Sequence, residues 1–505
     1  MWKKIGGLLW LVSSLTAYPC VASTTFRAFI AVKPPESLNP FQSSDGITSD
    51  HLNQIFETLF WIDYDGNLKP LLATEWKRLD EKTVEVKLRQ GVKFQNGEDF
   101  DSGAVKFSFD TFANPEKPAA NRQYGETIAG LDVVDKYTVR IRSSTPDSFL
   151  VYRLALVPHI VPPAYYAQVG DTEFAKAPIG TGPFRFVGTA KEGLPVREKM
   201  ILAANSNYWG TRPKIDQLEF HYYSDFQAVI KALESKKLDF AAHVPGTFNR
   251  NLMRLKPVRI VKKLTRQSIM VLVNTKKKNS PLASKEFRIA LRNAVNFGHV
   301  IKYGYLGNGV VTNSLTVKGE PFHDENIPEV GTTTKVSPIL KAAPNYKFRF
   351  QVTEPFGIAG KIVSEQMKLA GMNVETAYGS DSDEAREVLN YNRKGAIPEI
   401  DFLFSYCSHR DALGAFPLMV LMPSNGNWSL TADPEFDRIL RDAVNEFDFE
   451  KQKKKFKTLN RYVYDNALVL PGFQLNDIFA VQRTFSFTPN VTAYLYFKDV
   501  GVLKR

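Results

Sequence analysis

Segments with a strand-like apolar period and segments with a helical period follow one another irregularly along this chain, with no fixed-length repeat and no long linker. Strands are predicted over 25–32, 83–88, 137–141, 218–222, 238–241, 269–273, 348–352 and 399–404, with a short one between Gly91 and Gly97. Helices are predicted over 51–60, where Leu52, Ile55, Phe56 and Leu59 share a face, and over 104–112, 226–235, 287–294, 436–447 and 456–466. Such mixing predicts an α/β architecture with insertions. A chain of 505 residues exceeds one comfortable core, so two or three domains are expected.

Turn chemistry punctuates the pattern. Residues 34–40 (Pro-Pro-Glu-Ser-Leu-Asn-Pro) read as a loop and 63–67 as a hairpin-type turn. Residues 178–184 (Pro-Ile-Gly-Thr-Gly-Pro-Phe) must form a rigid turn, in which Gly182 is expected to supply a positive φ. No Lys-Ser/Thr pair follows, so this is not a phosphate loop.

The N-terminus reads as a secretory leader. Met1-Trp2-Lys3-Lys4 is positive, 5–15 is mostly apolar, and 16–23 ends in small residues. The apolar run is too short to span a membrane, and no later stretch reaches the roughly 18 residues required. Cleavage after Ala22 would place the mature chain in the periplasm. A lipoprotein would instead keep Cys20, although Tyr18-Pro19 makes a poor lipobox. Once the leader is gone, Cys407 is the one remaining thiol, read as a small buried hydrophobe or, alternatively, as a nucleophile that would need a positioned base.

The formal charge of +12 invites a nucleic-acid reading. No helix-turn-helix, zinc-finger or aromatic RNA-binding pattern accompanies it, and the short Lys runs at 276–278 and 453–455 read as solvated faces. His51, His159, His221, His243, His299 and His323 show no ligand-pair spacing, so no metal site and no cofactor is expected. Gly-x-Ser-x-Gly, His-Glu-x-x-His and Ser-x-x-Lys do not occur in suitable surroundings, which weighs against an exported hydrolase.

Eight segments in order carry a resemblance. They are Ser37-Leu38-Asn39-Pro40, Glu57-Thr58-Leu59-Phe60, Pro70-Leu71-Leu72-Ala73-Thr74-Glu75-Trp76, Leu88-Arg89-Gln90-Gly91-Val92-Lys93-Phe94-Gln95-Asn96-Gly97, Gly180-Thr181-Gly182-Pro183-Phe184, Asn207-Tyr208-Trp209-Gly210, Leu238-Asp239-Phe240 and Phe287-Arg288-Ile289-Ala290-Leu291. Together they resemble family 5 of the bacterial extracellular solute-binding proteins, the peptide-, dipeptide- and nickel-binding subunits of ABC importers. The resemblance implies a two-lobed periplasmic-binding-protein fold (type II, large cluster), with two crossovers and an extra inserted subdomain. It implies a signal peptide at 1–22, lobe I at 24–65, 190–265 and 476–505, an inserted subdomain at 66–189, and lobe II at 266–475. It also implies a binder rather than an enzyme, monomeric, with a permease and ATPase as partners and no nucleic acid.

Candidate ligand residues follow from that resemblance and from position. The stretch Tyr406-Cys407-Ser408-His409-Arg410-Asp411 follows an apolar strand, at whose carboxyl end α/β sheets hold ligands. Peptide-binding members read aromatic-x-x-Asp here, the acid pairing with the peptide's amino group. Tyr406 matches the aromatic, but His409 stands at the acid position, where an imidazole is a weak partner for ammonium. Asp411 either takes over or forms a loop ion pair with Arg410. Further candidates are Arg266, Gln267 and Ser268 entering a strand, Ser37, Leu38 and Ser44 in the first loop, Val244 in a turn after a strand, and Trp428 as an aromatic wall. The expected function is capture of a peptide-like ligand for import; the alternative cargo is a non-peptide such as a chelated metal.

Overall fold

The computed structural model describes residues 24–43, 46–117, 119–191, 196–245, 248–328, 337–353, 356–379 and 388–503. The expected leader lies outside the described residues. Two sheets meet on one long strand, Val469–Gln482. Its C-terminal half pairs with Phe240–Ala241 and Val258–Leu264 in the first lobe, where Thr25–Phe29 lies parallel between Phe240–Ala241 and Gln217–Tyr223. Its N-terminal half pairs with Gln267–Val273 and Gly309–Val311 in the second lobe. That lobe continues through Phe402–Ser408, Lys347–Thr353 and Asn373–Gly379.

The chain therefore crosses between the lobes at two adjacent places. One lies between Leu264 and Gln267, the other near Gln474 in the long strand. The buried Gln474 side chain ties them, its Nε2 donating to Thr265 O at 3.1 Å. Two stitched, extended crossings suit a joint that opens without twisting.

The inserted subdomain is a four-stranded antiparallel sheet, ordered Ala73–Arg78, Thr83–Leu88, Thr138–Ser143 and Ile128–Asp135, flanked by the helix Ser102–Ala113. Val84, Val86 and Ile141 alternate inward and join Phe26, Phe220 and Phe240 of the first lobe in one continuous core. The attachment centres on Glu57. Its buried carboxylate accepts from Thr181 Oγ1 (2.9 Å), Tyr208 OH (2.7 Å) and Trp209 Nε1 (2.8 Å). Arg89 stacks over the Trp209 ring at 4.4 Å, and Gln95 Nε2 donates to Phe184 O at 2.8 Å. Four of the family-like segments thus meet at one point.

The second lobe has its own cores. Phe348, Phe350, Phe402 and Phe404 lie under the helices Lys285–Ala294 and Gly357–Leu369. On the other face, Phe322, Phe436 and Phe456 pack beneath Pro434–Val444 and Phe449–Asp465. The subdomain reaches into this second core. Phe149 sits edge-on to Phe322 and Phe456, and Ser148 Oγ donates to Val444 O.

Several boundaries differ from expectation. The first helix is Gly46–Ile55 rather than 51–60, and Phe60–Ile62 is a strand. The helix ends because the 178–184 turn docks on it, Gly182 N donating to Ile55 O at 2.8 Å. A Cβ at Gly180 or Gly182 would lie 2.2 or 2.5 Å from that oxygen. Close approach, not the expected positive φ, is what requires glycine at 182. Between Gly91 and Gly97 there is no full strand, only an isolated Lys93–Asp99 bridge. The strand expected over 399–404 is Phe402–Ser408 instead. It starts after the buried Asp401, whose carboxylate anchors Lys277, Tyr346 and the Arg349 amide.

Candidate functional site

A cavity of about 530 Å³ opens between the lobes, within the size range of small-ligand sites. Three elements of the first lobe wall it. The N-terminal turn of the helix Gly46–Ile55 contributes Gly46, Ile47 and Asp50; His243 follows the strand Phe240–Ala241; and Thr492 to Tyr494 come from the C-terminal segment. The subdomain adds Gln123 and Tyr124. The second lobe supplies Gln267, the strand end Ser405 to Ser408, Arg410, Phe416, Val420 and Leu421 of the helix Phe416–Leu421, and Trp428. His243 and Ala493, both in the lining, hold positive φ of 51° and 67°, and Ala412 beside it holds 57°. Such left-handed non-glycine residues cost free energy and gather at functional sites.

The two lobes meet at Arg410. Its guanidinium from the second lobe lies between the rings of Tyr124 (4.8 Å) and Tyr494 (5.1 Å). Tyr124 also stacks on Phe416 at 5.4 Å. A smaller enclosed cavity of about 50 Å³ lies behind Tyr124, Arg410 and Tyr494 and reaches Glu57 and His159.

Charge on the lining is mixed. Burial raises the Asp50 carboxyl to about 7, against the pull of His243, the Leu495 N–H (2.8 Å) and Arg410. Desolvation draws His243 down, but Asp477 at 2.9 Å and Asp50 outweigh it and lift the imidazole to about 9. Burial pushes the Cys407 thiol up, so it stays protonated and packs in the second lobe. The lining therefore offers cations, one acid and aromatic faces, a set that suits an amphiphilic ligand rather than a purely apolar one.

Of the sequence-predicted residues, Tyr406, Cys407, Gln267 and Trp428 share this cavity. The others do not. His409 is fully buried, with its ring between Ser268 Oγ (2.9 Å) and Glu320 Oε1 (2.6 Å). His409 and Ser268 are thus corrected from ligand contacts to core partners of each other. Asp411 is corrected likewise: its carboxylate accepts from the Leu413, Gly414 and Phe416 amides and caps the loop, while Arg410 stacks on tyrosines instead of pairing with it. Arg266 uses its guanidinium on the carbonyls of Ala412, Gly319 and Asp65, which ties a first-lobe turn to the second lobe at the crossing. Val244 packs in a first-lobe core. Ser37 and Leu38 line a separate surface groove of about 640 Å³. Ser44 lies outside the described residues.

Asp50, Tyr124, His243, Phe416 and Tyr494 line the cavity without having stood out in the sequence. Each comes from a different element, so no local spacing joins them. Arg410 alone carried a signal, its place four residues after Tyr406.

Comparison with known proteins agrees with this architecture. The family model described as bacterial extracellular solute-binding proteins, family 5 middle, matches residues 67–388. The chain is 28% identical to the glutathione-binding protein GsiB of Salmonella typhi, over 98% of this chain and 96% of that one. It is 25% identical to the protein of the same name from Pectobacterium atrosepticum, over 91% of each. It superposes on the oligopeptide-binding protein AppA of Bacillus subtilis, solved with a nonapeptide, with a TM-score of 0.77 at 19% identity, covering 95% of this chain and 100% of that one.

Proposed function

The chain belongs to the bacterial extracellular solute-binding proteins, family 5, and we propose that it captures a short peptide-like ligand between its lobes and hands it unaltered to the permease and ATPase of an ABC importer. The observation that carries this reading is the cavity itself. It takes walls from both lobes, which are joined by two stitched crossings, so a ligand inside contacts both halves only when they are together. The relatives named for glutathione support a di- or tripeptide, which about 530 Å³ accommodates.

In this reading the protein is a periplasmic monomer without enzymatic activity. Lobe I comprises 24–65, 190–265 and 476–505, the subdomain 66–189, and lobe II 266–475. Tyr406, Gln267 and Trp428 contact the ligand, and the Cys407 thiol closes the floor. Burial keeps that thiol protonated, which supports binding over nucleophilic chemistry.

The test is native mass spectrometry of protein purified without refolding, with thermal shifts on a panel of di- and tripeptides that includes glutathione. A co-purified peptide of unchanged mass, and a melting-temperature rise with the panel, are expected. A product that accumulates with time sinks the reading, and a co-purified metal chelate selects the non-peptide cargo.

A further inference from the structure

The end of the first lobe opposite the cavity concentrates charge of one sign. The strand Phe240–Ala241 leads from that pole toward His243 on the cavity wall, and Val469–Gln482 returns from the crossing to the pole. Four stretches of chain close there around the buried Gln482, whose Nε2 donates to Leu233 O at 2.7 Å and Leu238 O at 3.1 Å. They carry Lys236 and Lys237 after the helix Phe226–Glu234, Arg254 and Lys256 after the helix Asn249–Met253, Arg259 on the strand Val258–Leu264, and Arg483. All are exposed except Arg259, which is half-buried.

Backbone carbonyls, not acids, hold the two arginines of the strand and the last turn. Arg483 Nε donates to Lys256 O at 3.0 Å, and Arg259 Nη2 to Phe485 O at 3.3 Å. Burial lowers the Arg259 pKa and the Arg483 charge lowers it further, so the two like charges act on each other. None of these cations forms an ion pair with a described residue. Of the two acids in these stretches, Asp239 is taken by Arg27 at 3.2 Å, which leaves Glu234 alone against the cluster. Helix C-termini favour cations, and that accounts for Lys236, Lys237 and Arg254. It does not account for Lys256, Arg259 and Arg483, which lie on a turn, a strand and a second turn. Lys236 moreover holds a φ of 59°, a conformation that glycine takes at less cost.

Apolar side chains stand at both edges of the cluster. Met253, next to Arg254, is 73% exposed. Val502 and Leu503 are 52% and 45% exposed, and Leu503 N donates to Thr484 O at 2.8 Å, beside Arg483. A single phosphate or a soluble polyanion would meet the cations and leave these side chains in water. A bilayer surface presents many phosphates in one plane with acyl chains beneath them, and so meets both. We propose that this pole of the first lobe docks on an anionic lipid surface, with its lysines and arginines on headgroup phosphates and Met253, Val502 and Leu503 at the acyl boundary. The pole lies away from the cavity and from both crossings, so docking there does not obstruct closure of the lobes. Such docking goes beyond ligand capture and is independent of which ligand the cavity takes.

The experiment is cosedimentation of the mature chain, without residues 1–22, with vesicles of phosphatidylcholine alone and of phosphatidylcholine mixed equally with phosphatidylglycerol. The wild type is expected to bind the mixed vesicles at least about 20-fold more tightly, and to lose about tenfold or more of that affinity when salt is raised from about 0.05 to 0.3 M. Arg259→Gln/Arg483→Gln, and the fully exposed pair Lys237→Gln/Lys256→Gln, are each expected to bind the mixed vesicles about 20-fold more weakly. Met253→Ser/Leu503→Ser is expected to weaken binding about fivefold. The control is Lys451→Gln/Lys454→Gln on the second-lobe helix Phe449–Asp465, which removes the same charge elsewhere and is expected to change affinity by less than about twofold. Equal binding to both kinds of vesicle overturns the proposal, and so does a control pair that weakens binding as much as the pole variants, because attraction would then follow net charge alone. Release of the protein from mixed vesicles by inorganic phosphate at constant ionic strength also overturns it, in favour of a site for a single anion. The wild-type arms need no variant, so a misfolded substitution does not block the result.

Discussion

Two buried carboxylates of the first lobe, seven residues apart in the chain, have opposite surroundings. Glu57 accepts from three neutral side-chain donors and sits where four segments of chain converge. Asp50 accepts one amide and otherwise faces a cavity. Burial raises both, but Glu57 accepts from three side chains of the protein and Asp50 from one backbone amide. An acid engaged by three side chains where four segments pack is architecture, whereas an acid with more capacity left over, turned toward the larger cavity, is available to a ligand.

The sharpest way to break this contrast is Glu57→Ala. It leaves the buried Thr181, Tyr208 and Trp209 donors without their acceptor, and chemical denaturation is expected to show a loss of about 3–5 kcal/mol. Ligand affinity of the folded fraction should stay within a factor of about two. A large loss of affinity without loss of stability would reverse the roles of the two acids.

The pH dependence separates them further. An unfolded Asp titrates near 3.8, whereas folded Asp50 titrates at about 7, so between these values the folded chain holds a proton that the unfolded chain has released. Stability of the empty protein is therefore expected to fall as pH rises across that window, by at most about 1.4 kcal/mol per pH unit from this group. His243 extends the fall: its contribution is complete below about 6.5 and is lost as pH rises through about 9. Melting curves of the wild type and Asp50→Asn across pH 4–9 check this: the variant should lose the acidic limb and keep the upper one, moved to lower pH, because Asp477 still raises His243.

A smaller effect is expected at Tyr406, half-buried on the cavity wall against Phe356. Tyr406→Ala should weaken glutathione or trialanine binding by about tenfold, with a melting temperature within a few degrees of wild type. An unchanged dissociation constant would remove this strand end from the site. The smallest is Gln474→Ala at the crossing. Loss of its bond to Thr265 O should cost about 1 kcal/mol of stability. Relaxation kinetics of ligand binding should change more than equilibrium affinity, because both open and closed states lose the same stitch.

The family-like segments were legible because each is a local string with fixed backbone demands, and four of the eight converge at Glu57 in the structure. Even there, the role of Gly182 differs from what its local string suggests. A turn that short suggested a positive φ, but what excludes a side chain is the Ile55 carbonyl, more than a hundred residues earlier. The candidate site was legible only along one strand. The sheet pairing of Phe402–Ser408 with Gln267–Val273 brought Tyr406, Cys407 and Gln267 together, as their positions on apolar strands suggested. His409 and Asp411 lay in the same string, and the string could not say which way each side chain turns. Alternation places Ser268 opposite Cys407, and the loop then folds His409 back onto Ser268 and Glu320.

What the amino-acid sequence determined by itself was the α/β class, the division into more than one body and the membership carried by its motifs, because periodicity and turn chemistry act over a few residues. Only the tertiary structure decided which charges face the cavity. Asp50, Tyr124, His243, Arg410 and Tyr494 come from five distant stretches, and whether a buried ionisable group is saturated or left open depends on donors that arrive from elsewhere in the chain.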